Sequence, residues 1–369
     1  MNSKTSFRVI LMGVLVVALG VPPKSLTVAA RQQQGPQTPP PAQQPLPPTP
    51  PSGQQKSQPL PQQQAPSQPQ TSISVESNEV NVDVVVTNED GDILNGFQRQ
   101  NFRVLDDGQP QQVTNFAPTE APITVVMLME FSKIAGGFFG YKALEWAYGF
   151  LDHLNDKDYV ALKTFDIKTT VQVDFTHNRS EVQQAINSLI WPDFSEANVF
   201  DAVLETLDQL RDVHGKKAIL LLATGFDTFS KHTLDQTLKR VKETDVPIFC
   251  VGMGEEIDLY SAGGGGVGYL QAKNQLTTFA QMTGGYAWFP RFQGEMPDIF
   301  NSVAGFLRNQ YTLGFTPNTP QDGRYHKLKV EAVDEQGNPM TWTDKKGKKK
   351  KMIVHARQGY TSLSAPAGN

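Results

Sequence analysis

Cysteine is almost absent from this sequence, since Cys250 is the only one among 369 residues. A single cysteine excludes any disulfide framework within the chain. Cys250 lies in the apolar run VPIFCVG, and a lone cysteine in such a run is typical of a small buried hydrophobic residue. Because no base lies beside it in sequence, we do not expect a reactive thiol.

Strong positive charge and recognisable catalytic motifs are also missing. The formal net charge is -4, which gives no general attraction to nucleic acid. The six histidines are scattered, without HExxH or comparable ligand spacing, and no serine lies in a G-x-S-x-G turn. The sequence therefore predicts a protein that is not an enzyme. A hydrolase stays open only if a histidine distant in sequence lies within hydrogen-bonding reach of Ser132.

Residues 1–30 have the pattern of a secretory signal peptide. Lys4 and Arg8 precede the apolar run VILMGVLVVALGV, and small residues end the segment at Ala29 and Ala30. This arrangement predicts cleavage after Ala30 and export to the periplasm, the cell surface or the medium. The apolar run is short for a permanent membrane helix, and an uncleaved N-terminal anchor is the alternative.

Residues 31–72 form a proline- and glutamine-rich segment. Residues 31–70 hold 13 of the 26 prolines and 14 glutamines, but only two charged residues, Arg31 and Lys56. A segment of this composition cannot bury enough apolar surface to fold, so we expect a disordered spacer, extended by its prolines. Recognition of its PLPPTPP stretch by a partner is the less favoured alternative.

The remaining sequence predicts an α/β domain between two β segments. Residues 73–118 alternate apolar and polar side chains between Asp-Gly turns, which predicts a small antiparallel β module. Residues 121–300 alternate apolar strands with amphipathic helices, which predicts a Rossmann-like, doubly wound, mostly parallel sheet with helices on both faces. Residues 301–362 predict a helix and short β strands, and 363–369 a tail. We expect the two antiparallel β segments to pair, because neither has enough strands for independent stability.

Polar side chains follow the strand ends of the α/β segment. Glu130 and Ser132 follow the strand ITVVMLME, residues 195–202 precede a helix, and Thr224 and Asp227 follow the strand KAILLLA. In open α/β sheets, ligands bind at the carboxyl ends of the strands. Oxygen atoms from these three loops could together hold a hard divalent cation.

Five stretches, in this order, resemble a von Willebrand factor A domain: FLDHLNDKDYVALKTF, VQVDFTHNRSEVQQAI, NVFDAVLETLDQL, KKAILLLATGFDTFS and VPIFCVGMG. The flanking segments resemble the VWFA-related proteins of Acidobacteria, so that the resemblance covers residues 73–362. It implies a domain that binds protein partners and that typically carries a metal-ion-dependent adhesion site.

The resemblance places the metal motif of that family on altered residues. The family's first loop, Asp-x-Ser-x-Ser, corresponds to Glu130, Ser132 and Ile134. The threonine of its second loop corresponds to Ala197, and the aspartate of its third loop to Thr224. Only Ser132 is unchanged, and Glu130 keeps a carboxylate that is one methylene longer.

Too few fixed oxygen ligands remain for Mg²⁺, which requires near-ideal octahedral geometry. We therefore expect a degenerate site that holds no metal, and no other cofactor. A weak Ca²⁺ or Mg²⁺ site is the alternative, since Ca²⁺ in particular tolerates irregular oxygen geometry. Its ligands would be Glu130, Ser132, Asn198, Thr224 and Asp227.

The first loop and a lysine run offer candidate partner contacts. Exposed phenylalanines beside a loop would form a docking patch, whereas burial under the adjacent helix is an equal alternative. The candidate partner-binding residues are Glu130, Phe131, Lys133, Phe138 and Phe139. The run Lys345–Lys351 predicts an exposed hairpin tip, with weak contact to an anionic surface as a further option.

The resemblance and the missing catalytic set together favour an exported, non-enzymatic, protein-binding von Willebrand factor A protein with a degenerate metal site. Two alternatives stay open. A divalent-metal-dependent adhesion module would lose binding in EDTA. A structural surface component would self-associate through its β segments.

Signal-peptide cleavage is the first testable prediction. When the full chain is produced in a host that exports it, we expect the recovered protein to begin at Arg31, as measured by intact-mass spectrometry. Ala30→Arg should leave the precursor uncleaved, because the small residue at the cleavage site is lost, whereas Gln32→Arg should still be processed. Recovery of the wild-type chain with residues 1–30 attached would instead support the membrane-anchor alternative.

Overall fold

The computed structural model describes residues 79–118, 121–133, 135, 142–190, 192–253, 267–320 and 322–363. The predicted signal peptide and spacer lie outside these residues. Within the described part of the chain, no helix is long and apolar enough to cross a membrane.

The strands and helices follow the order expected from the sequence. The N-terminal strands are β1 (Val80–Thr87), β2 (Phe102–Asp106), β3 (Gln109–Gln111) and β4 (Val113–Pro118). The α/β domain has strands β5 (Ile123–Glu130), β6 (Tyr159–Phe165), β7 (Thr169–Thr176), β8 (Lys216–Ala223), β9 (Ile248–Gly252) and β10 (Ala287–Trp288). Its helices are α1 (Lys142–Asp152), α2 (Arg179–Ser188), α3 (Val199–Leu210), α4 (Leu234–Glu243), α5 (Val267–Thr283) and α6 (Met296–Arg308). The C-terminal strands are β11 (Tyr311–Phe315), β12 (Tyr325–Ala332), β13 (Thr341–Thr343), β14 (Lys349–Lys351), β15 (Ile353–His355) and β16 (Gly359–Thr361).

The α/β domain is built on a sheet with strand order β10-β9-β8-β5-β6-β7. All neighbouring strands are parallel except β6 and β7, which form an antiparallel edge. The predicted fold class, a mostly parallel sheet with helices on both faces, is confirmed. Cys250 in β9 is fully buried, as its apolar surroundings predicted, and burial raises the pKa of its thiol.

Strand β5 shows why the sheet has two helical layers. All eight of its residues are buried, so both faces must be covered by apolar groups. Met127 and Met129 face a core formed with α1, α2 and α6. Val126 and Leu128 face a second core formed with α3, α4 and α5. The continuous apolar run Val125–Met129 therefore reflects burial on both sides of the sheet.

The two β segments form one structure, which we call the β unit. Its sheets have strand orders β15-β1-β11-β4 and β16-β12-β2-β3, and each sheet combines strands from both ends of the chain. The alternating Val82, Val84 and Val86 of β1 enter a core shared by the two sheets. The prediction that the segments pair is confirmed, although they form two sheets rather than one.

The β unit is tied to the α/β domain by packing and by helix α6. Val85, on the other face of β1, belongs to the core beneath α6. Helix α6 covers the six-stranded sheet with Phe300, Val303 and Phe306 and then leads directly into β11. The boundary predicted at residue 300 therefore falls within a helix that covers the sheet.

Turns in the β unit match their sequence signals. Asp107 and Gly108 connect β2 and β3 with φ angles of 47° and 82°, the left-handed values that suit a two-residue hairpin. The lysine run forms the exposed β13–β14 hairpin, with Lys350 paired to Glu89 at 3.3 Å. Contact of this hairpin with an anionic surface remains a prediction.

Asp158 fastens the start of β5 to the end of α6. Its buried carboxylate accepts hydrogen bonds from the backbone N–H groups of Ile123 at 2.9 Å and Asn155 at 2.6 Å, and it pairs with the Arg308 guanidinium group. Burial alone would raise the pKa of Asp158, but the hydrogen bonds from Arg308, Ile123 and Asn155 and the charge of Arg308 hold that pKa below its ordinary value.

Replacement of Asp158 tests this link. We expect Asp158→Asn to lower the free energy of unfolding by about 3 kcal/mol, because Arg308 and two N–H groups lose their anionic acceptor. Since the folded pKa is depressed, this stabilisation is complete above the ordinary pKa of 3.8 and is lost as the pH falls through the folded value. Urea unfolding at neutral and acidic pH measures both effects.

Asp156→Asn is the matched control for this measurement. Asp156 is fully exposed and pairs with Arg179 at 3.1 Å, so its replacement should leave the free energy of unfolding nearly unchanged. An equal cost for the two variants would show that the Asp158–Arg308 pair does not fasten α6.

Candidate binding site at the carboxyl end of the sheet

The candidate site lies where the strand order reverses. From β5 the chain passes to β6 on one side of the sheet and later returns to β8 on the other side. The carboxyl ends of β5 and β8 are therefore a topological switch point, which is where open α/β sheets bind ligands. Glu130 is the last residue of β5, and Thr224 directly follows β8.

Glu130, Ser132 and Thr224 form a closed hydrogen-bond network, which we call the Glu130 triad. The Ser132 hydroxyl donates to Glu130 Oε1 at 2.7 Å. The backbone N–H and the hydroxyl of Thr224 both donate to Glu130 Oε2 at 2.7 Å. The three residues are buried, with at most 2% of their surface exposed. Oxygens that could serve a cation are thus already paired with one another.

Burial also affects the protonation of the triad. Burial raises the pKa of Glu130, only partly opposed by the hydrogen bonds from Ser132 and Thr224, and the nearby charge of Asp227 raises it further. A raised pKa favours the neutral acid, which is a poorer metal ligand than a carboxylate.

Asp227 and Asn198 lie at the adjacent start of helix α3. Asp227 Oδ1 accepts the backbone N–H of Phe200 at 3.1 Å and the hydroxyl of Ser230 at 2.5 Å. Burial raises the pKa of Asp227 despite these bonds. Asn198 precedes the helix, and its buried Oδ1 has no hydrogen-bond partner among the described residues. Asp227 Oδ1 therefore supports the helix start, whereas the buried Oδ1 of Asn198 makes no hydrogen bond among the described residues.

The Glu130 triad and Ala197 do not fit a Mg²⁺ ion. Mg²⁺ needs several fixed oxygens in octahedral geometry, and the Glu130 triad uses its oxygens internally. Ala197 has no side-chain oxygen; its backbone N–H instead donates to the Thr228 hydroxyl at 3.0 Å. The site is therefore a hydrogen-bonded scaffold without the ligand set of a Mg²⁺ site.

Asp201, in the first turn of helix α3, holds the loop after β8 in place. Asp201 accepts the backbone N–H groups of Lys231 at 2.9 Å and His232 at 3.1 Å, and it also contacts His232 Nδ1 at 2.7 Å. Burial opposes ionisation, but these bonds hold the pKa of Asp201 below its ordinary value. Asp201 therefore fastens the loop after β8 onto α3.

Sequence analysis missed Ser230 and His232 as members of this loop contact. The Ser230 hydroxyl also accepts the backbone N–H of Asp201 at 3.1 Å. Ser230 and His232 lie about thirty positions from Asp201 along the chain, so no local spacing could have linked them. Ser230 and His232 meet Asp201 only because the loop after β8 packs against the start of α3 in the folded protein.

The candidate partner-binding residues have different environments. Phe131 is only 8% exposed, which favours burial over docking for this side chain, whereas Lys133 is exposed. Phe138 and Phe139 lie outside the described residues. Two aromatic residues that the sequence did not single out are half exposed beside the site: Phe194 at 51% and Phe229 at 54%.

Ser132 offers no sign of activation within the described part of the chain. Its hydroxyl donates to Glu130 and accepts the backbone N–H of Ala135 at 3.2 Å. The hydrogen bonds of this hydroxyl among the described residues include none to a histidine.

The geometry defines an α/β protein whose candidate binding face is the carboxyl end of the sheet, and comparison with known families agrees. Residues 125–282 match the family model of the von Willebrand factor type A domain. Residues 125–282 therefore form a von Willebrand factor A domain, and the resemblance stated from the sequence is confirmed for this domain. No curated protein matches the chain in sequence.

Solved structures with related folds share little sequence with the chain. The von Willebrand factor type A protein from Catenulispora acidiphila is 11% identical, with a TM-score of 0.42, over 70% of this chain and 73% of that one. The conserved hypothetical protein BatB from Bacteroides thetaiotaomicron is 12% identical, with a TM-score of 0.37, over 50% and 98%. Proximal thread matrix protein 1 from the mussel byssus is 15% identical, with a TM-score of 0.40, over 53% and 48%.

Two substitutions of Glu130 test whether it is a structural acceptor. Glu130→Ala should lower the free energy of unfolding by about 3 kcal/mol, because both Thr224 donors lose a buried acceptor. Glu130→Gln should cost less than about 1 kcal/mol, because an amide oxygen can accept both Thr224 bonds while the amide NH₂ donates to Ser132. Urea unfolding measures both values.

The exposed Glu196 supplies the control for these substitutions, and Glu196→Ala should have an effect below about 0.5 kcal/mol. If Glu130→Gln destabilises the protein as much as Glu130→Ala, the Glu130 triad requires the negative charge and its structural interpretation is wrong.

Proposed function

We propose that this chain is an exported, non-enzymatic protein whose von Willebrand factor A domain binds a protein partner at the carboxyl-end face of its sheet, without requiring a metal ion. The observation that carries the proposal is the closed Glu130 triad. Internal hydrogen bonds hold the carboxyl-end face of the sheet in place.

The hydrogen bonds within the Glu130 triad hold the loops after β5 and β8 in one conformation before a partner binds. Ser132 and Thr224 fix the loops after β5 and β8 to one carboxyl group, and Asp201 fixes the end of the second loop to α3. A pre-organised surface loses less conformational entropy on binding. The site can therefore present a defined shape without an ion to order it.

Three exposed side chains surround this scaffold, and we call them the apical patch: Lys133, Phe194 and Phe229. The Lys133 N–H donates to the Phe194 carbonyl oxygen at 2.7 Å, and the Phe229 N–H donates to the Ala197 carbonyl oxygen at 3.0 Å. All three therefore belong to the loops around the Glu130 triad. Aromatic residues that are half exposed on a rigid base are typical anchors of protein interfaces.

Export is supported by the sequence of residues 1–72. A signal-peptide pattern followed by a proline-rich spacer suits a binding domain held away from a membrane or released from the cell.

A divalent-metal-dependent adhesion module is the second candidate. The buried, unpartnered Oδ1 of Asn198, together with nearby Asp227, favours it, because a cation could use these oxygens. In that case binding would require Mg²⁺ or Ca²⁺ and would disappear in EDTA.

Photocrosslinking distinguishes these possibilities. A photoreactive phenylalanine analogue at Phe194 or Phe229 should crosslink the same partner in the native host, and EDTA should not reduce the yield. Tyr159 is the matched control, because it is an aromatic residue, 42% exposed, at the opposite end of a parallel strand. A partner trapped at the apical patch and not at Tyr159 would support the proposal.

Substitutions of the same residues then measure the contribution of the patch. With the trapped partner, Phe194→Ser and Phe229→Ser should each weaken binding at least about tenfold, which equals about 1.4 kcal/mol, and Tyr159→Ser should not. Equal crosslinking from Tyr159 would overturn the proposed face. Crosslinking that requires Mg²⁺ or Ca²⁺ would overturn metal independence and support the second candidate.

A further inference from the structure

We propose that Asp106, Asp107 and His326 bind a divalent first-row transition-metal ion, with Zn²⁺ as the representative ion. The site lies in the β unit and is separate from the Glu130 triad. It does not depend on the proposed partner-binding function.

The fold brings these three residues together from both ends of the chain. Asp106 ends β2, Asp107 begins the following turn, and His326 lies on the neighbouring strand β12. Asp107 is held in place by two bonds to Lys327: its N–H donates to the Lys327 carbonyl oxygen at 2.9 Å, and its Oδ1 accepts the Lys327 N–H at 2.8 Å. Asp107 Oδ2 forms a 2.9 Å hydrogen bond with His326 Nδ1, and a bound metal ion would take the place of the shared proton.

The distances among the candidate ligand atoms suit one ion. His326 Nδ1 lies 2.9 Å from Asp107 Oδ2 and 3.7 Å from Asp106 Oδ1, and one ligand atom from each residue falls within 4.8 Å of the others. With metal–ligand bonds of about 2.0–2.1 Å, two ligands of a tetrahedral Zn²⁺ lie about 3.3 Å apart. The two distances from His326 lie on either side of that value, so small side-chain rotations would complete the geometry.

Unpaired buried atoms provide independent support for a missing ligand. Asp106 is fully buried, and its Oδ1 has no hydrogen-bond partner among the described residues. His326 is 5% exposed, and its Nε2 is likewise unpartnered within the described part of the chain. Buried polar atoms normally have partners. A cation bonded to Asp106 Oδ1 and His326 Nδ1 would satisfy the first atom directly.

The charges and donor types favour a transition metal over Mg²⁺ or Ca²⁺. Two carboxylates and a neutral imidazole give a donor set of charge -2, which balances a divalent ion. Among the described residues, the ion pairs of Asp106 and Asp107 are with His326 and not with lysine or arginine. Imidazole nitrogen is a good ligand for Zn²⁺ and related ions, whereas Mg²⁺ and Ca²⁺ prefer oxygen.

Neighbouring polar groups would hold the ligands in position. Asp106 Oδ2 accepts the hydroxyls of Thr319 at 2.8 Å and Tyr360 at 2.9 Å, which leaves Oδ1 for the ion. Asp322 Oδ1 lies 3.6 Å from His326 Nε2, so that a slight approach would give the carboxylate–histidine pair common at metal sites. The ring of Tyr360 also stacks on His326, with centroids 5.4 Å apart.

A bound ion would connect the two chain segments of the β unit. Asp106 and Asp107 come from the segment before the α/β domain, and His326 comes from the segment after it. An ion that binds only the folded state stabilises that state in proportion to its concentration and affinity. Zn²⁺ should therefore slow hydrogen exchange in β2 and β12, and raise the unfolding temperature.

Zinc titration of the full, untagged chain tests the site. After removal of metals with a chelator, isothermal titration calorimetry should show one Zn²⁺ bound per chain. Asp107→Asn should weaken binding at least about tenfold, because it removes a ligand and even outer-sphere partners change affinity 10- to 100-fold. Asn tolerates the left-handed φ of this position, so Asp107→Asn should fold normally, and its hydrogen exchange without metal should match that of the wild type.

Two further variants make the result specific. His326→Gln should also lose Zn²⁺ binding, whereas the exposed His214→Gln should keep it. Absence of Zn²⁺ binding in the wild type, or equal binding by the wild type, Asp107→Asn and His326→Gln, would overturn the proposal.

Discussion

The carboxyl end of this sheet depends on one constraint: Glu130 is buried at the end of the central strand, and its carboxyl group must find partners. The strand itself is buried on both faces because it lies between two helical layers, so water cannot solvate the group at its end. Ser132 and Thr224 meet that need with hydrogen bonds. These bonds fix two loops at once, and they also occupy the oxygens that a metal ion would otherwise use.

The same face gains a second support from helix α3. Asp201 and Asp227 accept backbone and side-chain donors across the loop after β8, so this loop is bound to the helix rather than left free. The face is thus a rigid surface of internally paired polar groups with exposed aromatic side chains at its edge. In the function proposed above, the half-exposed Phe194 and Phe229 at its edge contact the partner.

The β unit is stabilised by pairing between distant parts of the chain. Its strands come from segments separated by the whole α/β domain, and neither segment could cover its own apolar face. In the folded β unit, strands of the two segments lie side by side. Strand β1 lies between β15 and β11, and β12 lies between β16 and β2. It also brings Asp106 and Asp107 against His326, two acidic side chains and an imidazole that nothing in the local sequence connects.

Local patterns in the sequence determined much of this protein. The apolar runs of β5 and β8, the helical spacing between them, the Asp107–Gly108 turn and the lysine hairpin could all be predicted, because periodicity and turn chemistry act over a few residues. Only the tertiary structure determined which side chains meet in the Glu130 triad, around Asp201 and beside His326. Thr224 lies 94 positions from Glu130, His232 lies 31 from Asp201, and His326 lies 219 from Asp107. Hydrogen bonds over such separations depend on how strands and helices pack, and a sequence pattern does not record which distant polar group will satisfy a buried one.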